Sequence, residues 1–449
     1  MQMDTLPPAV IDRLCDAIAD VSGGDLTQYA SVSRSWQRVI ERRTFHSLYL
    51  SSARLDDLPS VVTGPRIGYV RVITLHVALA SYHRRQRNDM ESAEDGSRST
   101  HVFDSSIQDL FGTLAQWEDD VTSEGIHLEI LVESPSDDMS GTSHTHARRR
   151  SRSPTTTRRA RSSVTRLDLP RSALPRASVI SALTCSGRHI ELSSVLFLIS
   201  KMPRLQLLDT EIEHDTAGER DLAQRRDFIL GLQHCAPNIT EFRLRRPMST
   251  FDSPRSSSKW ARSLFYSSLL EYTQQCITLK FDDSIDARSL LAYFRDDESG
   301  RRRYNDRSAG AGGAGSSSAG PWWPRLERLQ VRNSYMMRRP YTRVRTHASA
   351  IKHVHDVVLF VGRALRCMPA AKSIRIRQYI LAEGNLEHAV VKYDIDDAGR
   401  PVVVFQGLQP PQKTVDAWTA SVLETRGVDL NVRILANAEG LANRPDQRF

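Results

Sequence analysis

The chain has 449 residues, of which 40% are hydrophobic and 25% are charged. This composition is typical of globular proteins, and no apolar run approaches the roughly 18 residues of a membrane helix, so disordered and membrane-spanning classes are excluded. The formal charge of +8 is unevenly distributed, because residues 140–166 contain eight arginines and no acidic residue.

The first fifty residues predict three short helices. Pro7 and Pro8 suit the opening turn of the first, whose apolar residues recur at helical spacing: Val10, Ile11, Leu14, Cys15 and Ile18. Two glycines end this helix; residues 26–32 can form the second helix and residues 35–43 the third. A unit this small buries little area, so its remaining apolar surface must contact either the rest of the chain or another protein.

Two stretches at the ends of this segment resemble the two ends of an F-box. They are Leu6-Pro7-Pro8-Ala9-Val10-Ile11 and Val32-Ser33-Arg34-Ser35-Trp36-Gln37-Arg38-Val39-Ile40, and the spacing between them also matches the family. Ala9 departs from the pattern, because the family usually carries an acidic residue there, which puts one polar contact in question but not the apolar ones. The resemblance covers about a tenth of the chain and extends most naturally to fungal F-box proteins with divergent repeat regions.

The resemblance implies a role in ubiquitin conjugation. F-box proteins dock their three-helix unit on the small Skp-type adaptor of a cullin-RING (SCF-type) ubiquitin ligase, while the rest of the chain holds the protein to be modified. The resemblance assigns eight side chains to adaptor binding: Leu6, Pro7, Val10, Ile11, Leu14, Val32, Trp36 and Ile40. The alternative is that some of them, Trp36 especially, form the core of the unit itself.

The long remainder predicts alternating helices and strands. Strand-like alternation occurs at residues 48–50 and 70–75. Further strands are predicted after prolines that are followed by apolar residues at the second, fifth and seventh places: Pro237 and Pro324, with looser copies at Pro203 and Pro369. A unit without proline, residues 276–281, has the same alternation, and helical stripes precede most of these strands. Such units cannot bury their faces singly, so they stack into an array.

We therefore predict an α+β or α/β fold in which the three-helix F-box is followed by an irregular, leucine-rich-repeat-like α/β solenoid with disordered insertions. Successive copies are roughly 34 to 49 residues apart, longer than regular leucine-rich repeats, so an ordinary α/β domain stays open. The predicted domains are the F-box at 1–50, the first units of the array at 51–133, a disordered Arg/Ser-rich insertion at 134–163, the array at 164–380 with a Gly/Ser-rich insertion at 296–320, and a C-terminal cap at 381–449. Residues 84–100 are predicted to be a further insertion.

The C-terminal cap begins with a predicted β-hairpin. Its strands are residues 390–395 and 401–405, which flank the turn Asp397-Ala398-Gly399-Arg400. A helix around residues 415–426 and a strand at 428–435 are predicted to close the chain.

No local motif predicts an enzyme. Residues 310–315 match the letters of a dinucleotide fingerprint but lack the strand before it and the helix after it. The acidic turn at 394–399 lacks the later ligands of a calcium loop, and the His-X-His pairs at 144 and 353 lack further metal ligands. We therefore predict no catalytic residue, no cofactor and no metal site.

The Arg-rich segment favours a second hypothesis, a nuclear nucleic-acid-binding protein. Guanidinium groups bind phosphate bidentately, and a basic arm also suits nuclear import. No aromatic residue interleaves the arginines, which argues against base stacking, and a solvated loop is the alternative. The residues concerned are Arg148, Arg149, Arg150, Arg152, Arg158, Arg159 and Arg161.

The cysteines and the opening residues indicate the compartment. The five cysteines are scattered and never form a C-x-x-C pair, which suits a reducing environment. The opening residues lack the basic and apolar regions of a secretory signal. We therefore expect an intracellular adaptor, cytoplasmic or nuclear, that binds a Skp-type adaptor and an unknown protein substrate and has no membrane partner.

Overall fold

The computed structural model describes most of the chain. The described residues are 6–22, 26–81, 92–117, 124–135, 167–169, 174–188, 190–212, 219–245, 259–283, 285–291, 322–336, 347–382 and 385–435. The chain divides into two compact units, Met1–Thr210 and Glu211–Phe449.

The first unit contains five α-helices, short 3-10 helices and five strands among its described residues. The helices are α1 (Pro8–Ser22), α2 (Arg34–Thr44), α3 (Leu58–Val61), α4 (Ala93–Leu114) and α5 (Leu192–Ser200), with 3-10 helices at Thr27–Ser31, Ser52–Arg54, Gly64–Tyr69 and Ala115–Trp117. The strands are β1 (Ser47–Ser51), β2 (Val72–Ala78), β3 (Ile126–Glu133), β4 (Ile180–Gly187) and β5 (Leu207–Glu211), the last ending on the first residue of the second unit.

The strands of the first unit are parallel and follow one another in chain order. The register places Leu50 beside Leu75, Leu75 beside Ile130, and Ile130 beside Cys185, all of them buried. Every second residue of β2 and β3 is buried, as expected when one face of a sheet is covered. Helix α4 packs on β2 and contributes large apolar side chains to this core, including Phe103.

The second unit contains five more helices and seven strands in the described part of the chain. The helices are α6 (Glu219–Cys235), α7 (Lys259–Thr273), α8 (Ala287–Leu291), α9 (His347–Ala364) and α10 (Gln412–Arg426), with a 3-10 helix at Leu365–Cys367. The strands are β6 (Glu241–Arg245), β7 (Thr278–Asp282), β8 (Arg328–Met336), β9 (Ser373–Ala382), β10 (Asn385–Ile395), β11 (Pro401–Gln406) and β12 (Asn431–Leu435).

Strand direction changes near the end of the second unit. Strands β6 to β9 are parallel, β9, β10 and β11 pair antiparallel, and β12 is again parallel to β11. A tight turn joins β10 to β11, because the Asp396 carboxylate accepts hydrogen bonds from the backbone N–H groups of Ala398 and Arg400 at 3.0 and 2.8 Å. Gly399 supplies the positive φ of 75° that this turn requires. Helix α10 then crosses back, so β12 runs parallel.

Trp418 of α10 is the centre of the apolar core at this end. Its ring is fully buried, with centroids 6.0 Å from Tyr393 and 6.2 Å from Phe405. Its indole N–H donates to the carbonyl of Val358 on α9 at 3.1 Å. The ring therefore fixes α10 against both α9 and the sheet.

The predicted mixed α/β class is confirmed. Strands follow all four prolines identified in the sequence, as β5, β6, β8 and β9, and residues 276–281 contain most of β7. The predicted C-terminal hairpin is formed by β10 and β11. The second of the three predicted N-terminal helices is a 3-10 helix, a shorter element than expected.

The predicted insertion at residues 84–100 is partly wrong. Helix α4 begins at Ala93, capped by the Ser92 hydroxyl, and buries Gly96 and Ser99 against the core. Because Gly96 and Ser99 are small, they permit close packing against the core. They also interrupt the apolar pattern from which a helix would be predicted in the sequence. Of the other insertions, residues 136–163 and 296–320 lie outside the described residues, and the predicted domain boundaries stay predictions. Among the described helices, none is long and apolar enough to cross a membrane.

Candidate functional site

The N-terminal helices form a small apolar core. Ile11 and Cys15 of α1 pack with Trp36 and Ile40 of α2, and all four side chains are buried. Leu6, Ile18, Leu26, Tyr29, Ala30 and Val39 pack around them. This cluster joins α1, α2 and the intervening 3-10 helix.

The eight residues predicted to bind an adaptor divide into two groups. Ile11, Trp36 and Ile40 are 0%, 5% and 3% exposed, so they belong to the core, as the alternative reading of Trp36 anticipated. Leu6 is half-buried against the same core. The other four are exposed: Val10 at 41%, Leu14 at 39%, Val32 at 45%, and Pro7.

Three of the exposed residues form a continuous apolar strip, which we call the α1 stripe: Pro7, Val10 and Leu14. Positions three and four apart share a helix face, and the Pro7 carbonyl starts the helix by accepting from the Val10 and Ile11 amides. At about 100° per residue, the apolar side of α1 from Val10 to Cys15 spans about 140° of its circumference. The core covers the half that carries Ile11 and Cys15 and leaves the α1 stripe in solvent.

Arg43 of α2 holds α1 in place from the polar side. Its guanidinium donates to the Asp12 carboxylate at 2.8 Å, the Asp12 carbonyl at 2.7 Å and the Asp16 carboxylate at 2.7 Å. The hydrogen bond that Arg43 donates to the Asp16 carboxylate raises the pKa of Arg43 above its ordinary value. Planar, multidentate contacts of this kind fix direction as well as distance. The apolar core and this clamp together set the angle at which α1 presents its stripe.

Helix α2 is also bonded to the 3-10 helix at Gly64–Tyr69, which contains Arg66. Arg66 donates to the Glu41 carboxylate at 2.8 Å and to the Val61 carbonyl at 3.0 Å, and its guanidinium lies 5.0 Å from the ring of Phe45. The hydrogen bond from Arg66 lowers the pKa of Glu41. These contacts of α2 attach the N-terminal helices to the rest of the first unit.

Trp36 occupies the centre of the segment. Ser33 caps α2 by accepting from the Trp36 amide at 3.4 Å, and the indole lies 6.3 Å from the Tyr29 ring. The buried indole Nε1 has no hydrogen-bond partner among the described residues. Such a side chain contributes packing rather than polar recognition.

Cys15 of the N-terminal core carries a buried thiol. Burial raises the pKa of the Cys15 thiol, which disfavours the reactive thiolate. In the ranges that the structure describes, no three His, Cys, Asp or Glu residues are grouped to hold a metal ion. The five cysteines are free thiols. The arginines predicted as a nucleic-acid or import segment, Arg148 to Arg161, lie outside the described residues.

Comparison with known proteins adds no assignment. No protein-family model matches the chain, and no curated protein matches it either.

The sequence did not predict the Arg43 clamp or the contact between Glu41 and Arg66. The spacing of Asp12 and Asp16, one helical turn apart, was the available signal for the clamp, whereas no local pattern links Glu41 to Arg66.

Proposed function

We propose that this chain is an F-box protein that links a Skp-type adaptor, and through it a cullin-RING ubiquitin ligase, to a protein substrate. The observation that carries the proposal is the α1 stripe: Pro7, Val10 and Leu14 are exposed in the stretch whose residues resemble one end of an F-box. Contiguous exposed apolar side chains are typical of protein interaction sites.

The rigidity of the segment supports the proposal. A helix that must dock on another protein loses less entropy on binding if its orientation is already fixed. The core of Ile11 and Trp36 and the clamp of Arg43 on Asp12 and Asp16 provide that fixation. Val32, exposed between the 3-10 helix and α2, adds a second apolar point of contact.

The finer fold belongs to the same proposal. We infer that the N-terminal helices are the F-box and that the repeated helix–strand units form the leucine-rich-repeat-like array. The support is that parallel strands follow chain order within each unit, and that described helices lie between most consecutive strands. The array would hold the substrate, and holding both proteins on one chain raises the local concentration of ubiquitin-transferring groups near the substrate. No bond is made or broken on this chain.

Co-purification of the full chain with a Skp-type adaptor tests the proposal. Val10→Asp with Leu14→Asp places two charges on the α1 stripe, where neither side chain supports the core, so binding is expected to fall at least about tenfold with folding unchanged. Leu423→Asp is the matched control, because Leu423 is an apolar residue on α10 that is 52% exposed.

Three results of this co-purification can be distinguished. Retention of the adaptor by the parent and the Leu423→Asp variant, with loss in the stripe variant, supports the proposal. If the stripe variant keeps a native circular dichroism spectrum and still retains the adaptor, the α1 stripe does not contact the adaptor, and the observation that carries the proposal is lost. A folded parent that fails to retain the adaptor contradicts the proposal as a whole.

A further inference from the structure

Strands β6 to β10 of the second unit have one face in the core and one partly exposed. Phe242, Leu279, Leu329, Ile374 and Val391 point into the core and are buried. Most of the residues that alternate with them are half-buried or exposed, with Thr278 of β7 as a buried exception. Successive side chains of a strand lie on opposite sides of a sheet, so these residues share the second face.

The second face carries rows of positive charge across the strands. The register aligns Arg243 with Lys280, Lys280 with Gln330, Gln330 with Arg375, and Arg375 with Lys392. This row has four cations and no acidic residue. The next row aligns Asp282, Arg332 and Arg377. We call the six cations of these two rows the basic face: Arg243, Lys280, Arg332, Arg375, Arg377 and Lys392.

The charge is not a general property of parallel strands in this chain. In the first unit, the register aligns Tyr49, Thr74, Glu129 and Thr184 across β1 to β4. That row has no cation and one carboxylate, and Thr74 donates to Glu129 at 2.9 Å. The basic face is therefore specific to β6–β10.

Carboxylates within the face neutralise only part of its charge. Glu241 accepts from Arg243 at 2.6 Å and lies 3.7 Å from Lys280, so one carboxylate serves two cations. Asp282 lies 3.4 Å from Arg332. Within the described part of the chain, Arg377 and Lys392 have no ion-pair partner. Asp394 shares this face with Lys392, so three carboxylates stand against six cations, and the face keeps a net positive charge that an acidic ligand can neutralise.

We propose that the basic face binds a polypeptide segment rich in Asp and Glu. This inference deepens the proposed function and rests on it in one respect: the segment would belong to the protein that the chain recruits. The row from Arg243 to Lys392 crosses four strand spacings, about 19 Å, and same-side residues of an extended peptide are about 6.8 Å apart. About three carboxylates can therefore lie over the row, where guanidinium groups can receive them bidentately.

The composition of the face favours a peptide over a nucleic acid. Glu241 and Asp282 lie beside its cations and would repel a continuous phosphate backbone, whereas peptide carboxylates can be spaced to avoid them. Tyr379, the aromatic ring on this side of β9, lies 5.2 Å from the Arg332 guanidinium. A ring engaged in this way is not available to stack on a base.

Fluorescence anisotropy with the full chain, in the absence of any adaptor, tests the inference. The probe is a fluorescein-labelled peptide of alternating glutamate and serine, at an ionic strength of about 0.15 M so that non-specific attraction is screened. Replacing Arg377 and Lys392 by Gln is expected to weaken binding at least about fivefold. The matched control is Lys352→Gln with Lys413→Gln, which removes two exposed cations from helices α9 and α10 and should change affinity less than about twofold.

Three results would overturn the inference. They are equal binding of a peptide with glutamine in place of glutamate, equal weakening by the helix variant, and tighter binding of an oligonucleotide of the same total charge. Because no adaptor is present, the result is independent of the docking test. The Val10→Asp, Leu14→Asp variant should bind the glutamate peptide as tightly as the parent, even if its adaptor binding is lost.

Discussion

Val10 and Ile11 are neighbours of similar chemistry with opposite environments. Ile11 is fully buried against Trp36, and Val10 is 41% exposed. Both lie on the apolar side of α1, so their spacing alone predicts a helix and its apolar arc but not which half of the arc the chain itself covers. That choice depends on where α2 packs, and this is set by the buried contacts of Trp36 and Ile40 together with the Arg43 clamp, all of which join residues distant in sequence.

Glu41 gives the helical segment a predictable response to acid. Because Arg66 lowers the folded-state pKa of Glu41 below its ordinary value of 4.5, the contact stabilises the fold above that pH and is lost as pH falls through the lowered value. As the pH falls from about 7 to about 3.5, the free energy of unfolding should therefore decrease less for Glu41→Gln than for the parent. Urea unfolding followed by circular dichroism measures this difference. Arg66→Gln removes the donor of the same hydrogen bond and should reduce the pH dependence in the same way. Identical pH dependence in the Glu41→Gln variant and the parent would contradict this role.

Helices α9 and α10 approach closely because one position lacks a side chain. A Cβ on Gly362 would lie 2.4 Å from Cδ1 of the buried Trp418, so Gly362→Ala must displace the indole that bonds to Val358. We expect a loss of about 2 kcal/mol in the free energy of unfolding, seen as a lower thermal midpoint.

Gly112→Ala provides the control for this substitution. Gly112 is also within a helix, and a Cβ there would meet no atom within 4 Å. Alanine at such a position should be neutral or stabilise by up to about 1 kcal/mol. If both variants shift the midpoint equally, steric contact at Trp418 is not the cause.

The sequence predicts elements better than their contacts. The alternation after Pro237, Pro324 and Pro369 is local, so it locates β6, β8 and β9 without knowledge of their neighbours. The start of α4 was missed because its buried positions include Gly96 and Ser99, which an apolar pattern does not record. The basic face had a sequence signal that was not used: arginine recurs at the polar positions of β6 and β9. Its significance depends on the register between strands, which one strand alone does not specify.

At the scale of the whole molecule, the two proposed surfaces belong to different units. The α1 stripe lies in the first unit and the basic face in the second. A chain that binds two partners through separate units has a physical means of bringing them together. The predicted docking set included residues of both the stripe and the core, because residue type alone does not separate an exposed contact from internal packing.

Titration calorimetry of the full chain with a purified Skp-type adaptor tests the central claim most directly. Docking of the α1 stripe buries apolar surface, so we predict saturable binding with a dissociation constant of about 1 μM or tighter and a negative heat-capacity change. The Val10→Asp, Leu14→Asp variant should bind at least about tenfold more weakly, whereas Leu423→Asp should match the parent. Absence of saturable binding by a correctly folded parent at every temperature would contradict the assignment of the N-terminal helices as a ligase-docking unit.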